Sequence, residues 1–96
     1  MTQIKAGNHE FFIEDSGNVI GKIEFTPSGT DSNGNEIISV NHTEVNGEYS
    51  GQGLARQLVD RVVDYAREGN KKIVPVCSYV KNVFEKNEEF KDVVAK

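Results

Sequence analysis

The stretch that decides the fold is residues 50–55, which read Ser-Gly-Gln-Gly-Leu-Ala between a strand pattern and a helix pattern. Gly51 and Gly53 let the backbone approach a ligand closely, and the free amides of a helix N-terminus attract an anion. Phosphate or pyrophosphate is the ligand that such a turn fits. No Lys-Ser or Lys-Thr of a P-loop follows, and Arg56 replaces the third glycine of a dinucleotide-binding fingerprint. Taken alone, the two glycines are better explained by a turn that needs them only for its backbone geometry.

The helix that follows is the clearest element of the sequence. Its apolar residues recur every three or four positions, which predicts one buried face. Ser50 is the predicted N-cap and Gly69 the predicted C-terminal stop. The expected buried face consists of Leu54, Ala55, Leu58, Val59, Val62, Val63 and Ala66.

Two strands joined by a tight turn are predicted upstream, at residues 10–14 and 19–26, with residues 15–18 as the turn. Residues 1–9 are polar and are expected to be a poorly ordered lead-in. Alternation in the second strand assigns one set of side chains to a common face: Val19, Ile23 and Phe25.

A third strand is predicted at residues 36–45, after a polar loop at residues 27–35. Strict alternation divides its side chains between two faces. One face is expected to carry Ile38, Val40, His42 and Glu44, and the other Ile37, Ser39, Asn41, Thr43 and Val45. The polar end of this strand fits either a functional site or a solvated strand end.

The last third of the chain begins with a strand at residues 72–77 that contains Pro75. Proline cannot donate to a β-ladder, so this strand is expected to be an edge or to splay from its neighbour. Two short helices are predicted after it, at residues 78–86 and 87–95, with Asn87 capping the second.

Composition excludes several classes of protein. The 96 residues predict a single domain, 1–96, and the net charge of −4 argues against nucleic-acid binding. No apolar run is long enough for a membrane helix. Cys77 is the only cysteine, so no internal disulfide forms and the expected compartment is a reducing cytoplasm. Two histidines and one cysteine do not complete a structural zinc site, and no metal is expected.

The order of these elements resembles the core of the GNAT-type N-acetyltransferases. In that superfamily the glycine turn binds the pyrophosphate of acetyl-coenzyme A with the pattern Gln or Arg, two residues, Gly, one residue, Gly or Ala. Gly51 and Gly53 match the small positions, whereas Glu48 stands at the first position and removes one usual phosphate contact. Two central strands of the family splay to admit the pantetheine arm, and Pro75 is a local reason for such a splay.

The resemblance narrows to a small single-domain branch of the superfamily, on residues 42–45, 51–55, 74–80 and 84–90. It implies an α+β fold with a mainly antiparallel sheet, a splayed strand pair, one long helix and short C-terminal helices. Larger members place helices between their first strands, where this chain has residues 15–18. The acceptor side is therefore expected to be open, which suits a protein or peptide amine or a site that a partner completes.

The resemblance also implies roles for individual side chains. His42 and Glu44 are candidates for the general base, or else a half-buried histidine and a solvated carboxylate. Cys77 is expected near the thioester, where it accepts the acetyl group, forms a mixed disulfide with coenzyme A, or only packs. Tyr79 either protonates the departing thiolate or packs at a helix start. The expected contacts of the cofactor are Val45, Tyr49, Ser50, Gly51, Gln52, Gly53, Leu54, Ala55, Arg56 and Cys77.

The function predicted from the sequence is transfer of acetyl from acetyl-coenzyme A to an amine. Two other interpretations remain open at this point: a coenzyme A-binding module without its own catalysis, and a protein-interaction domain on the same fold. Glu48 and the missing acceptor helices favour these two. The glycine turn, Pro75 and Cys77 favour the enzyme.

Overall fold

The computed structural model describes residues 2–95 and contains one five-stranded sheet with the order β1-β2-β3-β4-β5. The first four strands are antiparallel, and β5 runs parallel to β4. Met1 and Lys96, the ends of the predicted domain, lie outside the described residues. The elements are β1 Thr2–Gly7, β2 Glu10–Asp15, β3 Asn18–Thr30, β4 Glu36–Val45, α1 Leu54–Glu68, β5 Lys72–Pro75 and α2 Ser78–Lys86, with 3-10 turns at Gly47–Tyr49 and Glu88–Phe90.

Both helices pack on one face of the sheet, which we call the core face. The apolar stripe of α1 is buried as its periodicity predicts, except that Ala55 is half-buried. The helix α2 buries Val80, Val83 and Phe84 in the same cluster as the sheet residues. The α+β class and the mainly antiparallel sheet are thus confirmed. Neither helix is long and apolar enough to cross a bilayer in the part of the chain described.

The prediction of a poorly ordered lead-in at residues 1–9 is wrong for the described part of this segment. Residues 2–7 form the edge strand β1, which pairs with β2 from Thr2↔Asp15 to Gly7↔Glu10. Only Ile4 of this strand packs against the core. An edge strand with one apolar contact has a polar sequence, and this is why it resembled a lead-in.

The strand β3 differs from its prediction in length and in facing. It continues past residue 26 to Thr30, so the loop after it is only residues 31–35, closed by hydrogen bonds from the backbone N–H of Asn33 and Asn35 to Asp31. The pairing passes from Ile13↔Gly21 to Glu14↔Val19 and skips one residue, which forms a β-bulge. Val19 therefore faces solvent and is 56% exposed, away from Ile23 and Phe25.

A second bulge, at Asn41, reverses the predicted facing in β4. The pairs are Phe25↔Val40 and then Glu24↔His42, so Asn41 is the extra residue. Beyond it, Thr43 and Val45 lie on the core face opposite Ile23 and Gly21, whereas His42 and Glu44 lie on the other side. We call that other side the outer face. It consists of Gln3, Lys5, Glu10, Phe12, Glu14, Val19, Lys22, Glu24, His42 and Glu44, all exposed or half-buried.

The C-terminal segment is less helical than predicted. The strand β5 ends at Pro75, and α2 spans the predicted residues 78–86. After α2 there is only the 3-10 turn Glu88–Phe90, followed by a parallel bridge between Val94 and Ile73. Asn87 does not cap a second helix, because its side-chain amide donates to the carbonyl of Val83 at 2.8 Å.

Candidate active site

The strands β4 and β5 separate after a short parallel ladder, as the position of Pro75 predicts. Their last pair is Val40↔Pro75. The backbone N–H groups of Val76 and Cys77 then both donate to the carbonyl of Val40, at 3.1 and 2.9 Å, as the chain turns into α2. Residues 41–45 of β4 therefore pair only with β3, and their other edge has no strand partner, which leaves an opening between this edge and the start of α2. We call this opening the cleft below.

The glycine turn ends directly on α1. Gly51 and Gly53 have φ values of 80° and 75°, and a Cβ at either position would meet nothing within 4 Å. The glycines are thus required by backbone conformation rather than by crowding. The N-cap of α1 is Gly53 and not the predicted Ser50. Gly53 has a left-handed conformation, and no side chain caps the helix there.

The first turn of α1 suits an anion. The first helical hydrogen bond runs from the N–H of Gln57 to the carbonyl of Gly53 at 3.1 Å, so the N–H groups of Leu54, Ala55 and Arg56 have no partner within the helix. No acidic residue lies in this turn. The helix dipole adds a positive potential at the same point. Glu48 is exposed in the preceding 3-10 turn, and its negative charge works against the binding of an anion.

Tyr49 attaches this turn to the sheet. Its hydroxyl donates to Asp15 Oδ2 at 2.9 Å, and its half-buried ring packs against the core. The hydrogen bond to Asp15, together with burial, raises the pKa of Tyr49. The end of β2 therefore holds the glycine turn in position.

Cys77 lies at the base of the cleft, directly before α2. It is half-buried and packs against the core. Burial opposes ionisation of its thiol, but the backbone N–H of Val80, the Thr43 hydroxyl and the backbone N–H of Tyr79 lie against the sulfur and favour the thiolate. The balance lowers the pKa of Cys77 below its usual value.

Thr43 is the site residue that the sequence did not identify. Its Oγ1 is buried. While the Cys77 thiol is neutral, this oxygen forms no hydrogen bond with any atom of residues 2–95. The hydroxyl can rotate towards a thiolate, because a hydroxyl hydrogen turns to suit its acceptor. The signal was hidden by the bulge at Asn41, since strict alternation assigns Thr43 to the face opposite Val40.

His42 and Glu44 are adjacent to the cleft but lie on the outer face. His42 Nε2 is 3.5 Å from Glu44 Oε2, and Lys22 Nζ is 3.5 Å from Glu44 Oε1. Both side chains are about half exposed. The structure thus brings the two candidate bases together, on the side of β4 opposite Thr43.

The other predicted residues are distributed around the same end of the fold. Tyr79 lies in the first turn of α2 with an exposed ring, two residues after Cys77. Val45 is half-buried where β4 ends, and Ser50 and Gln52 are exposed in the glycine turn.

Arg56, a predicted cofactor contact, already has partners within the protein. Its guanidinium is held by Asp60 at 3.1 Å and Glu89 at 2.7 Å, and it stacks over the Phe90 ring. These contacts attach the C-terminal segment to α1, and they occupy the side chain that was expected to reach a phosphate. No cluster of three or more His, Cys, Asp or Glu side chains suited to a metal occurs in residues 2–95.

Comparison with known proteins decides the family. A family model described as GCN5-related N-acetyl-transferase matches residues 10–93, which is most of the chain. The chain belongs to the GCN5-related N-acetyltransferase family. The residues of this GNAT chain that match include the glycine turn, both sides of the cleft and Cys77. No curated protein matches it.

Solved structures show the same relationship. A GCN5-like protein from Staphylococcus aureus, solved by NMR, is 36% identical with a TM-score of 0.73, covering 97% of this chain and 87% of that one. YhbS of Escherichia coli, a GNAT-family protein crystallised with coenzyme A, is 30% identical with a TM-score of 0.59. That match covers 67% of this chain but only 37% of YhbS. A Clostridium acetobutylicum protein crystallised with acetyl-coenzyme A shares the fold, at 23% identity and a TM-score of 0.61 over 80% of this chain and 54% of that one.

Proposed function

We propose that this GNAT protein binds acetyl-coenzyme A and transfers its acetyl group to an amine. The observation that carries the proposal is the joint placement of the uncapped α1 turn and the cleft between β4 and β5 at one end of the sheet. Free helix amides suit a pyrophosphate, and an unpaired strand edge suits the amide groups of a pantetheine arm. The family and the relatives crystallised with coenzyme A support the same assignment.

The residues present fit this substrate. Gly51, Gln52 and Gly53 offer backbone to the pyrophosphate, and the amides of Leu54 and Ala55 complete the anion site. The free edge of residues 41–45 would hold the pantetheine arm. In this arrangement the thioester lies towards Cys77, and backbone N–H groups of the strand edge stabilise the oxyanion that forms when an amine attacks.

Proton transfer is assigned to the outer face. The attacking ammonium loses a proton to Glu44 or His42, directly or through water, since both face the side from which an acceptor reaches the cleft. When the carbon–sulfur bond breaks, the coenzyme A thiolate takes a proton from Tyr79, and the nitrogen gives its remaining extra proton back to the Tyr79 phenolate. The amine nitrogen then carries the acetyl group, and free coenzyme A leaves.

Cys77 provides a second route for the same transfer. Its thiolate attacks the thioester, the acetyl group passes to sulfur, and coenzyme A leaves as the thiol. An amine then takes the acetyl group from Cys77. A reactive thiolate that is kept reduced is consistent with a cytoplasmic location, which we propose for this protein.

A coenzyme A-binding module without its own catalysis is the second candidate. The exposed carboxylate of Glu48 beside the anion site favours it, as does the absence of helices over the outer face of residues 2–95. Release of coenzyme A thiol with a panel of amines tests the choice. Release that depends on an amine and is lost in Gly53→Val supports the transferase. Binding of acetyl-coenzyme A without release for any amine supports the module.

A further inference from the structure

A row of ionisable side chains crosses the outer face towards the cleft. Glu10 of β2 lies directly opposite Glu24 of β3, and Glu24 lies directly opposite His42 of β4. Like charges that face each other on neighbouring strands destabilise a sheet. A sequence that keeps such a pair gives up stability, and this is expected where a surface serves binding.

The two lysines of the outer face do not neutralise all four of its carboxylates. Lys22 Nζ is 3.8 Å from Glu24 and 3.5 Å from Glu44, and Lys5 Nζ is 2.7 Å from Glu14. Glu10 forms no ion pair with any residue of the described range 2–95. Its carboxylate lies over Gly7 of β1, where a Cβ would be only 2.6 Å from Oε2. Four carboxylates thus share this face with two lysines, and one carboxylate has no counter-ion.

The row leads to the site of acetyl transfer. Its last member, His42, belongs to the segment of β4 whose free edge borders the cleft. A surface cavity of about 340 Å³ lies beside Lys22 and Glu44, with Val19 and Val45 in its wall. A chain that crosses β2 and β3 along the row therefore reaches the cleft next to the two candidate bases.

We propose that the outer face binds a lysine-rich, extended segment of a protein acceptor, with its cations on Glu10, Glu24 and Glu44. The word acceptor rests on the proposed acetyl transfer, whereas the binding does not. Charge complementarity decides the occupant, because a face with excess carboxylates attracts a cationic chain. A second copy of this chain does not fit, since it carries a net charge of −4 and the same carboxylates.

Peptide binding, measured without acetyl-coenzyme A, tests the surface. The probe is a blocked peptide with lysine at alternate positions, and its control is the same peptide with every lysine acetylated. We expect the lysine peptide to shift the backbone amide signals of β2, β3 and β4 around Glu10, Glu24 and His42, and to lose affinity as salt is added. Equal binding of the acetylated peptide, or shifts confined to α1 and α2, would overturn the proposal.

The double variant Glu10→Gln with Glu24→Gln removes both negative charges of the row and keeps the size of the two side chains. Two exposed charge contacts predict a loss of affinity between about twofold and thirtyfold. The matched control is Glu68→Gln, an exposed carboxylate at the end of α1, on the opposite side of the sheet from the outer face. Unchanged affinity in the double variant contradicts the proposal. Glu10→Gln alone should raise the urea midpoint, because it relieves repulsion, and a lowered midpoint also counts against it.

Kinetics separate this proposal from the proposed function. If both proposals hold, the double variant raises KM for the lysine peptide. Its kcat, and its KM for a small amine that carries no further charge, stay unchanged. If small amines are acetylated but the double variant does not change KM for the peptide, the docking surface is overturned and the proposed acetyl transfer stands. Peptide binding to the row with no transfer to any amine overturns the enzyme and keeps the surface.

Discussion

Cys77 is the nucleophilic side chain beside the cleft. It is half-buried, precedes α2 and has the Thr43 hydroxyl against its sulfur. Burial opposes ionisation, but the backbone N–H groups of α2 and the hydroxyl outweigh it and lower the pKa of the thiol. The thiolate is the nucleophilic form, so this environment raises the fraction of Cys77 that is able to react.

Removing the Thr43 hydroxyl should move the ionisation of Cys77. In Thr43→Val the thiolate loses a hydrogen bond, so the ionised form is less favoured and the thiol pKa rises. The rate of alkylation by iodoacetamide then reaches half its plateau at a higher pH than in the wild type. The control is Thr30→Val, an exposed threonine at the end of β3. The same pH profile in Thr43→Val and the wild type would contradict this role.

Cys77 should also form adducts with the thioester or with oxidised coenzyme A. With acetyl-coenzyme A, intact mass is expected to show an acetyl group on the protein. With the disulfide of coenzyme A, it should show one coenzyme A, as the second leaves as the thiol. Cys77→Ala should lose both adducts. Retained transfer in Cys77→Ala indicates direct attack by the amine, and no adduct with full activity in the variant leaves Cys77 as packing alone.

His42 and Glu44 compete for the role of base. If His42 takes the proton, His42→Ala lowers turnover by roughly 10²-fold or more. If Glu44 takes it, Glu44→Gln shows this loss instead. Glu14→Gln, on the same face but paired with Lys5, is the control. Near-wild-type turnover in both variants would remove these residues from the mechanism.

The glycine turn and α1 form the element that the proposal assigns to the cofactor. Replacing Gly51 or Gly53 with valine forces a β-branched residue to a positive φ, at a cost of order 1–3 kcal/mol in stability. Gly29→Val is a matched control, because Gly29 has a φ of 105° and open space around it in β3. All three variants should lose stability, but only those at Gly51 and Gly53 should lose affinity for acetyl-coenzyme A in calorimetric titration. Equal affinity in all three would place the ligand elsewhere.

The elements differ in how well the sequence predicts them. The helix α1 is clear because six buried side chains repeat with one period. The strand β1 is not, since it contributes only Ile4 to the core and its other side chains face solvent. Residues 87–95 contain apolar positions at helical spacing, but Val93 and Val94 meet β5 instead, where backbone bonds to Ile73 replace a helix.

The site was predictable as a set of segments but not as a set of facing side chains. The glycine turn, Pro75 and Cys77 could be assigned because each acts through the backbone or through its place at a strand end. The facing of His42, Glu44 and Thr43 could not, because one extra residue at Asn41 inverts every later position in the strand. One partner of Arg56, Glu89, also lies 33 residues away, beyond any local pattern.

The molecule as a whole has a small core, and this makes ligand binding visible as stability. Domains of this size unfold with only about 5–15 kcal/mol. A ligand at a hundred times its dissociation constant adds about 2.7 kcal/mol to the folded state. For a domain of up to 100 residues, that corresponds to a rise of about 10–20 °C in the melting temperature.

Titration with acetyl-coenzyme A, followed by thermal unfolding, therefore tests the central claim most directly. The wild type and the Gly29→Val control should both show the full rise in melting temperature at saturation. Gly53→Val should show almost none, because its anion site is lost while its fold remains. A wild-type melting temperature that does not move at saturating acetyl-coenzyme A would contradict the account and leave a GNAT fold that serves protein interaction without the cofactor.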